Sequence, residues 1–86
     1  MKRIEVYNAI DTERDFQDEM TKRDDRPDMI EDFHTGDALT AIRYNLNKAE
    51  DAWYSGSVPH QKTMEYLRKI CAIAVKLGET QGMPNR

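Results

Sequence analysis

Apolar residues recur at alternating steps of three and four along the middle of the chain, and this spacing constrains the fold most. The residues that share it are Leu39, Ile42, Leu46, Ala49 and Trp53. Such a spacing lays one apolar stripe along a face of an α-helix. It predicts a long helix over residues 28–54, which Pro27 and the cap signal of Asp28 and Glu31 would begin. Gly36 offers a second place for this helix to begin, because glycine weakens a helix interior.

A turn and a second apolar stripe follow this helix. In the turn over residues 55–59, Gly56 is typical of a helix stop and Pro59 of a helix start. The next stripe consists of Met64, Leu67, Ile70, Cys71, Ala74 and Leu77. We therefore predict a third helix over about residues 59–79. The short connection predicts that the two helices form an antiparallel hairpin.

The N-terminal part of the chain also has helical spacing, with one gap. Its apolar residues are Ile4, Tyr7, Ile10, Phe16 and Met20. The stripe skips between residues 10 and 16, and Thr12 to Asp15 resembles a capping box. Either one kinked helix or two short helices over residues 2–24 fit this pattern. The predicted fold is all-α, an N-terminal helix plus a long hairpin, in a single domain over residues 1–86.

The chain is too small to stabilise itself easily. A chain of 86 residues buries only roughly 60% of the surface that it exposes when unfolded. With Cys71 as the single cysteine, and with His34 and His60 far apart, neither an internal disulfide nor a structural zinc site is expected. Residues 71–75 are apolar almost all round, which is more surface than one neighbouring helix covers. These features predict a compact homo-oligomer.

The charge is small but uneven, and it limits the partners. Net charge is −3; residues 1–35 hold six Lys/Arg against eleven Asp/Glu, and residues 36–86 hold seven against five. An acidic chain without a basic stripe is a poor binder of DNA or RNA polymers, but a ligand with few phosphates needs only a few cations. We also expect neither a signal peptide nor a membrane span, and a location in the cytoplasm.

Catalytic patterns are weak. No nucleophile stands in a known motif, and Cys71, on an apolar stripe, is expected to be a buried packing residue. The carboxylates of Glu13, Asp15, Asp18 and Glu19 would suit Mg²⁺ in an all-helical nucleotide pyrophosphohydrolase. The second helix offers Glu31, Asp32 and Asp37 without matching spacing, so a solvated acidic face is favoured. We expect no enzyme activity, no metal and no cofactor.

Residues suited to phosphate and base binding stand at two places. Lys22, Arg23 and Arg26 precede Pro27, where the amides at the start of the next helix add positive charge. Near the N-terminus, Tyr7 can stack on a base, and Asn8 can read a base edge. The competing interpretation places Tyr7 in a subunit interface and makes the cations salt-bridge partners.

A smaller basic set lies on the third helix. Its members are Arg68, Lys69 and Lys76. Around a symmetry axis, repeated cations repel one another unless an anion lies among them. This set therefore indicates, weakly, a second anion site.

Over nearly its whole length the chain resembles the phage anti-CBASS cyclic-nucleotide sponges. CBASS is a bacterial antiphage system that signals with cyclic oligonucleotides. The resemblance is carried by residues 5–8 (Glu-Val-Tyr-Asn), residues 21–23 (Thr-Lys-Arg), Arg26 with Pro27, and the long hairpin that follows. Among these proteins it looks like the member that a T-even-type phage carries.

The resemblance implies a fold, a function and site residues. Family members are homohexamers that bind cyclic dinucleotides, including 3′,3′-cGAMP, between subunits and hold cyclic trinucleotides near a threefold axis. They sequester the ligand without cleaving it, in the cytoplasm of the infected host. By resemblance, Tyr7 would stack on a base, Lys22 and Arg26 would bind phosphates, Asn8 would add a hydrogen bond, and Arg68 would serve the trinucleotide site. A helical adaptor that inhibits a host protein is a further alternative.

Overall fold

The structure, a computed structural model, describes residues 1–23, 34–56 and 59–86. It contains three α-helices: α1 (Arg3–Arg23), α2 (Thr35–Ser55) and α3 (Pro59–Gln81). All regular secondary structure in these ranges is helical, which confirms the predicted all-α class. Of the predicted ligand-binding residues, Arg26 lies outside the described residues.

Local interactions explain where the helices begin and end. The backbone of His34 is extended, with φ −88° and ψ 153°, and its carbonyl accepts the N–H of Ala38 at 3.0 Å. As a result, α2 begins at Thr35, next to the alternative start that Gly36 offers. The other predicted start, at residue 28, lies outside the described residues. At the other end of the chain, α3 continues to Gln81. Gly82, with φ +82°, donates its N–H to the carbonyl of Gly78 at 2.8 Å, which closes the helix in a left-handed cap.

The helices α2 and α3 form an antiparallel hairpin. The hydroxyl of Thr63, near the start of α3, donates to the carbonyl of Ala49, near the end of α2, at 3.2 Å. One turn further towards the connection, the rings of Trp53 and His60 meet edge to face with centroids 6.5 Å apart. These contacts fix the register of the hairpin at its closed end.

The helix α1 packs along α3 and is tied to it by ion pairs. The guanidinium of Arg14 donates to both carboxylate oxygens of Glu79, at 3.1 and 2.7 Å, and also binds Asp18. Half-way along α3, the Nε atom of Arg68 donates to the Glu13 carboxylate at 3.0 Å. Because α1 begins beside the start of α3, the two helices run parallel.

Large apolar side chains are incompletely covered in the single chain. In the described residues, the buried apolar side chains are Ala38, Ala49 and Ala72, with exposed fractions of 0–3%. Many larger ones remain half exposed: Ile4, Tyr7, Phe16, Leu39, Leu46, Trp53 and Met64. The described part of one chain therefore has a thin core made from its smallest apolar residues.

The bond between Arg14 and Glu79 should contribute measurably to stability. We expect Glu79→Gln to lower the free energy of unfolding by roughly 1 kcal/mol, because a mostly buried guanidinium loses a charged partner that is itself half exposed. Urea unfolding at one fixed protein concentration measures this change. The control is Glu65→Gln, which removes the exposed pair of Glu65 with Lys62 at 3.4 Å and should cost less than about 0.5 kcal/mol. Equal effects of the two variants would contradict the prediction.

Candidate functional site

Tyr7 and Asn8 lie on the exposed side of the second turn of α1. The side chain of Tyr7 is 56% exposed, and Asn8 is exposed beside it. An exposed tyrosine ring in a rigid helix can stack on a base without prior rearrangement. The same exposure suits a subunit interface, so both interpretations of Tyr7 from the sequence stay open at the level of one chain.

Lys22 lies in the last turn of α1, in acidic surroundings. It lines a shallow depression of about 470 Å³ together with Asp15, Asp18 and Glu19. Asp18 is bound by Arg14, which offsets one of the three negative charges. Asp15 adds a negative charge beside Lys22, which disfavours a phosphate there unless further cations are brought to the depression.

The structure places Tyr7 and Lys22 far apart in one chain. They are fifteen residues apart on one helix (7 to 22), which corresponds to ~22 Å along its axis. The strip of α1 surface between them carries Asp11, Asp15 and Asp18. A ligand with phosphates would be repelled along this strip. The two residues predicted to act together therefore do not form one anion-binding pocket within a single chain.

Arg68 has a partner within the chain. Its side chain is 42% exposed, and its Nε atom binds the carboxylate of Glu13, which is only 6% exposed. Next to this pair, Thr12, Phe16 and Lys69 line an open groove of about 340 Å³. The remaining guanidinium N–H groups of Arg68 can still bind an anion, but the charge of Glu13 offsets that of the arginine.

Some of the carboxylates that would hold Mg²⁺ in a pyrophosphohydrolase form ion pairs with arginines. Glu13 binds Arg68 and Asp18 binds Arg14, so Mg²⁺ would have to displace two arginines. Asp37 is exposed, whereas Glu31 and Asp32 lie outside the described residues. Within those residues, no group of three or more His, Cys, Asp or Glu side chains is arranged to hold a metal ion.

The ion-pair network around Arg14 was not predicted from the sequence. Burial disfavours the charge of Arg14, but the hydrogen bonds that it donates to Glu79 and Asp18 outweigh this effect and raise the pKa of Arg14 above its ordinary value. Arg14 and Asp18 are four residues apart, a helical spacing that could have revealed their pair. The contact of Arg14 with Glu79 joins two distant segments, and no local pattern signals it.

The exposure of Cys71 in the single chain differs from the prediction. This residue was predicted to be buried, but it is exposed in the single chain, where it lines an apolar groove of about 480 Å³ between α1 and α3. The reason is that the covered face of α3 centres on its neighbour Ala72, which has no exposed surface. His34 is exposed at the start of α2, and its side chain forms no capping hydrogen bond.

Comparisons of the chain with protein-family models, with curated proteins and with solved structures found no match. In the parts of the chain that the structure describes, no helix has a run of apolar residues long enough to cross a bilayer. The function must therefore be argued from the placement of the residues themselves.

The bond between Arg68 and Glu13 allows a test of the structural role of Arg68. We expect Arg68→Met to lower the free energy of unfolding by about 1–3 kcal/mol, because the buried Glu13 carboxylate loses its charged donor. Adding Glu13→Gln should recover part of this loss, since no buried charge is then left unpaired. Urea unfolding of the two single variants and the double variant measures the coupling. Strictly additive losses would show that the two side chains do not interact.

Proposed function

We propose that the protein is a non-enzymatic sponge that binds cyclic dinucleotides such as 3′,3′-cGAMP between its own subunits. The resemblance to the phage anti-CBASS sponges supports this function. In that role the protein would act in the cytoplasm of the infected host and keep the signal from the CBASS effector. The observation that carries the proposal is the separation of Tyr7 and Lys22 on α1, because two residues that bind one ligand from these positions would have to come from different chains.

A pocket shared by two chains would bring a Tyr7 and a Lys22 together despite their separation on α1. If two copies of α1 meet head to tail, Tyr7 of one chain lies beside Lys22 of the other. The ligand can then contact a Tyr7 and a Lys22 without spanning the acidic strip that separates these residues on one helix. Arg26 follows Lys22 by four residues in the sequence, so each chain would bring a second cation to the pocket.

Symmetry favours a cyclic dinucleotide as the ligand. A twofold contact presents each residue twice, once from each chain. A cyclic dinucleotide has two bases and two phosphates in a nearly twofold arrangement. Two tyrosines and two lysines therefore match its halves, and Asn8 next to each tyrosine is placed to read a base edge.

Self-association is supported by the thin core of the single chain. The half-exposed Phe16, Leu46 and Trp53 would be covered by neighbouring subunits. Each fully buried side chain of this size contributes about 1.5–3 kcal/mol, so covering them favours assembly. The resemblance suggests six subunits, and Arg68 and its equivalents around a threefold axis are proposed to bind a cyclic trinucleotide.

The first test is binding without turnover. We expect 3′,3′-cGAMP to bind the purified protein in an isothermal titration and to be released unchanged when the protein is denatured, as shown by chromatography and mass measurement. A matched titration with linear pGpA controls for general affinity to nucleotides. Recovery of linear dinucleotide from the protein would contradict a sponge, because it would show cleavage.

The second test separates pockets between chains from pockets within one chain. We expect Tyr7→Ala to weaken binding ten- to hundredfold, because stacking contributes about 1–3 kcal/mol per base. Lys22→Ala should also weaken binding, and more so at low salt, where the charge contributes most. When the two variants are unfolded together and refolded as a mixture, part of the binding should return, since some pockets then combine an intact Tyr7 with an intact Lys22.

The mixture also has its own control. Each variant refolded alone should regain its weak binding and its oligomer mass, which shows that refolding works. If the mixture binds no better than the two variants separately, the pocket does not combine residues of different chains. Unchanged affinity of Tyr7→Ala would show that this residue packs in an interface and does not contact the ligand.

A further inference from the structure

One face of α2 carries a regular strip that α1 and α3 leave largely uncovered, apart from the edge contact of Trp53 with His60 of α3. Its residues are Leu39, Arg43, Leu46, Glu50 and Trp53, which we call the α2 seam. All five are exposed, and the three apolar side chains keep 58%, 43% and 52% of their surface in water. Steps of four, three, four and three residues are those of a helix that packs against another helix along its length.

The seam lies beside the face that α2 uses in the hairpin and shares only Trp53, at its end, with the hairpin contact. Ala38 and Ala49 form the buried face of α2, and the carbonyl of Ala49 accepts the bond from Thr63 of α3. Glu50 follows Ala49 by one residue, so it points ~100° away around the helix. The α2 seam therefore lies beside the hairpin contact and stays open to a further helix.

The charges of the α2 seam favour a second copy of α2 in the antiparallel orientation. Arg43 and Glu50 form no ion pair with the residues that the structure describes. In a parallel pair of α2 helices, each would face its own copy, and like charges would repel. In an antiparallel pair centred near Leu46, Arg43 faces Glu50 of the other copy, and this attraction occurs twice.

The apolar residues of the α2 seam fit the same twofold axis near Leu46. Leu39 and Trp53 lie seven residues before and after Leu46. In the antiparallel pair, the two Leu46 side chains meet at the axis, and each Leu39 faces a Trp53. A strip that is complementary to itself under a twofold rotation is what an interface between identical chains requires.

We propose that the α2 seam is a twofold interface between two copies of this chain, with their α2 helices antiparallel and centred near Leu46. The inference deepens the self-association in the proposed function by naming its surface and direction. It does not depend on nucleotide binding, because none of Tyr7, Asn8, Lys22 or Arg68 lies in the seam.

A charge-exchange series tests the interface. Arg43→Glu and Glu50→Arg each create two like-charge contacts, so each should weaken self-association at least about tenfold. The double variant Arg43→Glu/Glu50→Arg restores both attractions with reversed polarity and should return to within about threefold of the parent. Sedimentation equilibrium over a range of protein concentrations measures these changes, and circular dichroism checks that each variant stays helical.

Two further variants complete the design. Asp51→Arg makes the same charge change as Glu50→Arg on an exposed position outside the seam, and it should leave association unchanged. Leu46→Glu places two carboxylates at the axis and should dissociate the pair. If the single charge variants associate like the parent, or the double variant is weaker than both, the seam is not this interface.

The outcomes also separate the seam from the proposed function. A parent protein that sediments as one chain at every concentration would overturn both proposals. An oligomer that ignores the charge exchange yet binds 3′,3′-cGAMP would overturn the seam alone. An oligomer that responds to the exchange but binds no cyclic dinucleotide would support the seam and overturn the sponge.

Discussion

The burial of small residues between the helices determines the rest of this structure. Ala38, Ala49 and Ala72 are the buried apolar residues of the described chain, and the hairpin is bonded directly through the backbone of Ala49. Small residues let two helices lie close together, but they bury little apolar area. The larger side chains are then displaced to the flanks of the contact, where one chain alone does not cover them. A thin core and an apolar surface are thus two results of the same packing.

With so little apolar area in the core, polar contacts hold α1 in place. Arg14 joins α1 to the end of α3, and Glu13 joins it to Arg68 in the middle of α3. Buried ion pairs gain little net stability against apolar residues of the same size, but removing one partner is costly because the other charge is left unpaired. Such pairs therefore fix where α1 lies along α3 more than they stabilise it. The separation of Tyr7 and Lys22 follows instead from their spacing of fifteen residues along α1 itself.

The sequence predicts the helices well and the contacts between them poorly. The spacing from Leu39 to Trp53 identifies α2 because an apolar stripe is a local property of the helix. α2 begins at Thr35, next to the alternative start that Gly36 offers, because the extended backbone of His34 precedes it, and His34 itself has no distinctive signal in the sequence. Cys71 was predicted to be buried but is exposed in the single chain, because the pattern shows that a face is apolar but not which of its residues a neighbouring helix covers. The partner of Arg14, sixty-five residues away, cannot be read locally.

The same limit applies to the candidate site. Tyr7 and Lys22 are suited to bases and phosphates by their chemistry, yet their use together depends on how chains meet. The two surfaces proposed for that meeting are separate: α1 carries the proposed ligand residues, whereas the α2 seam carries apolar residues and opposite charges. With this division, assembly would not require the ligand. Pockets formed in advance by a rigid assembly lose less entropy when a ligand binds, which would favour the tight sequestration that we propose.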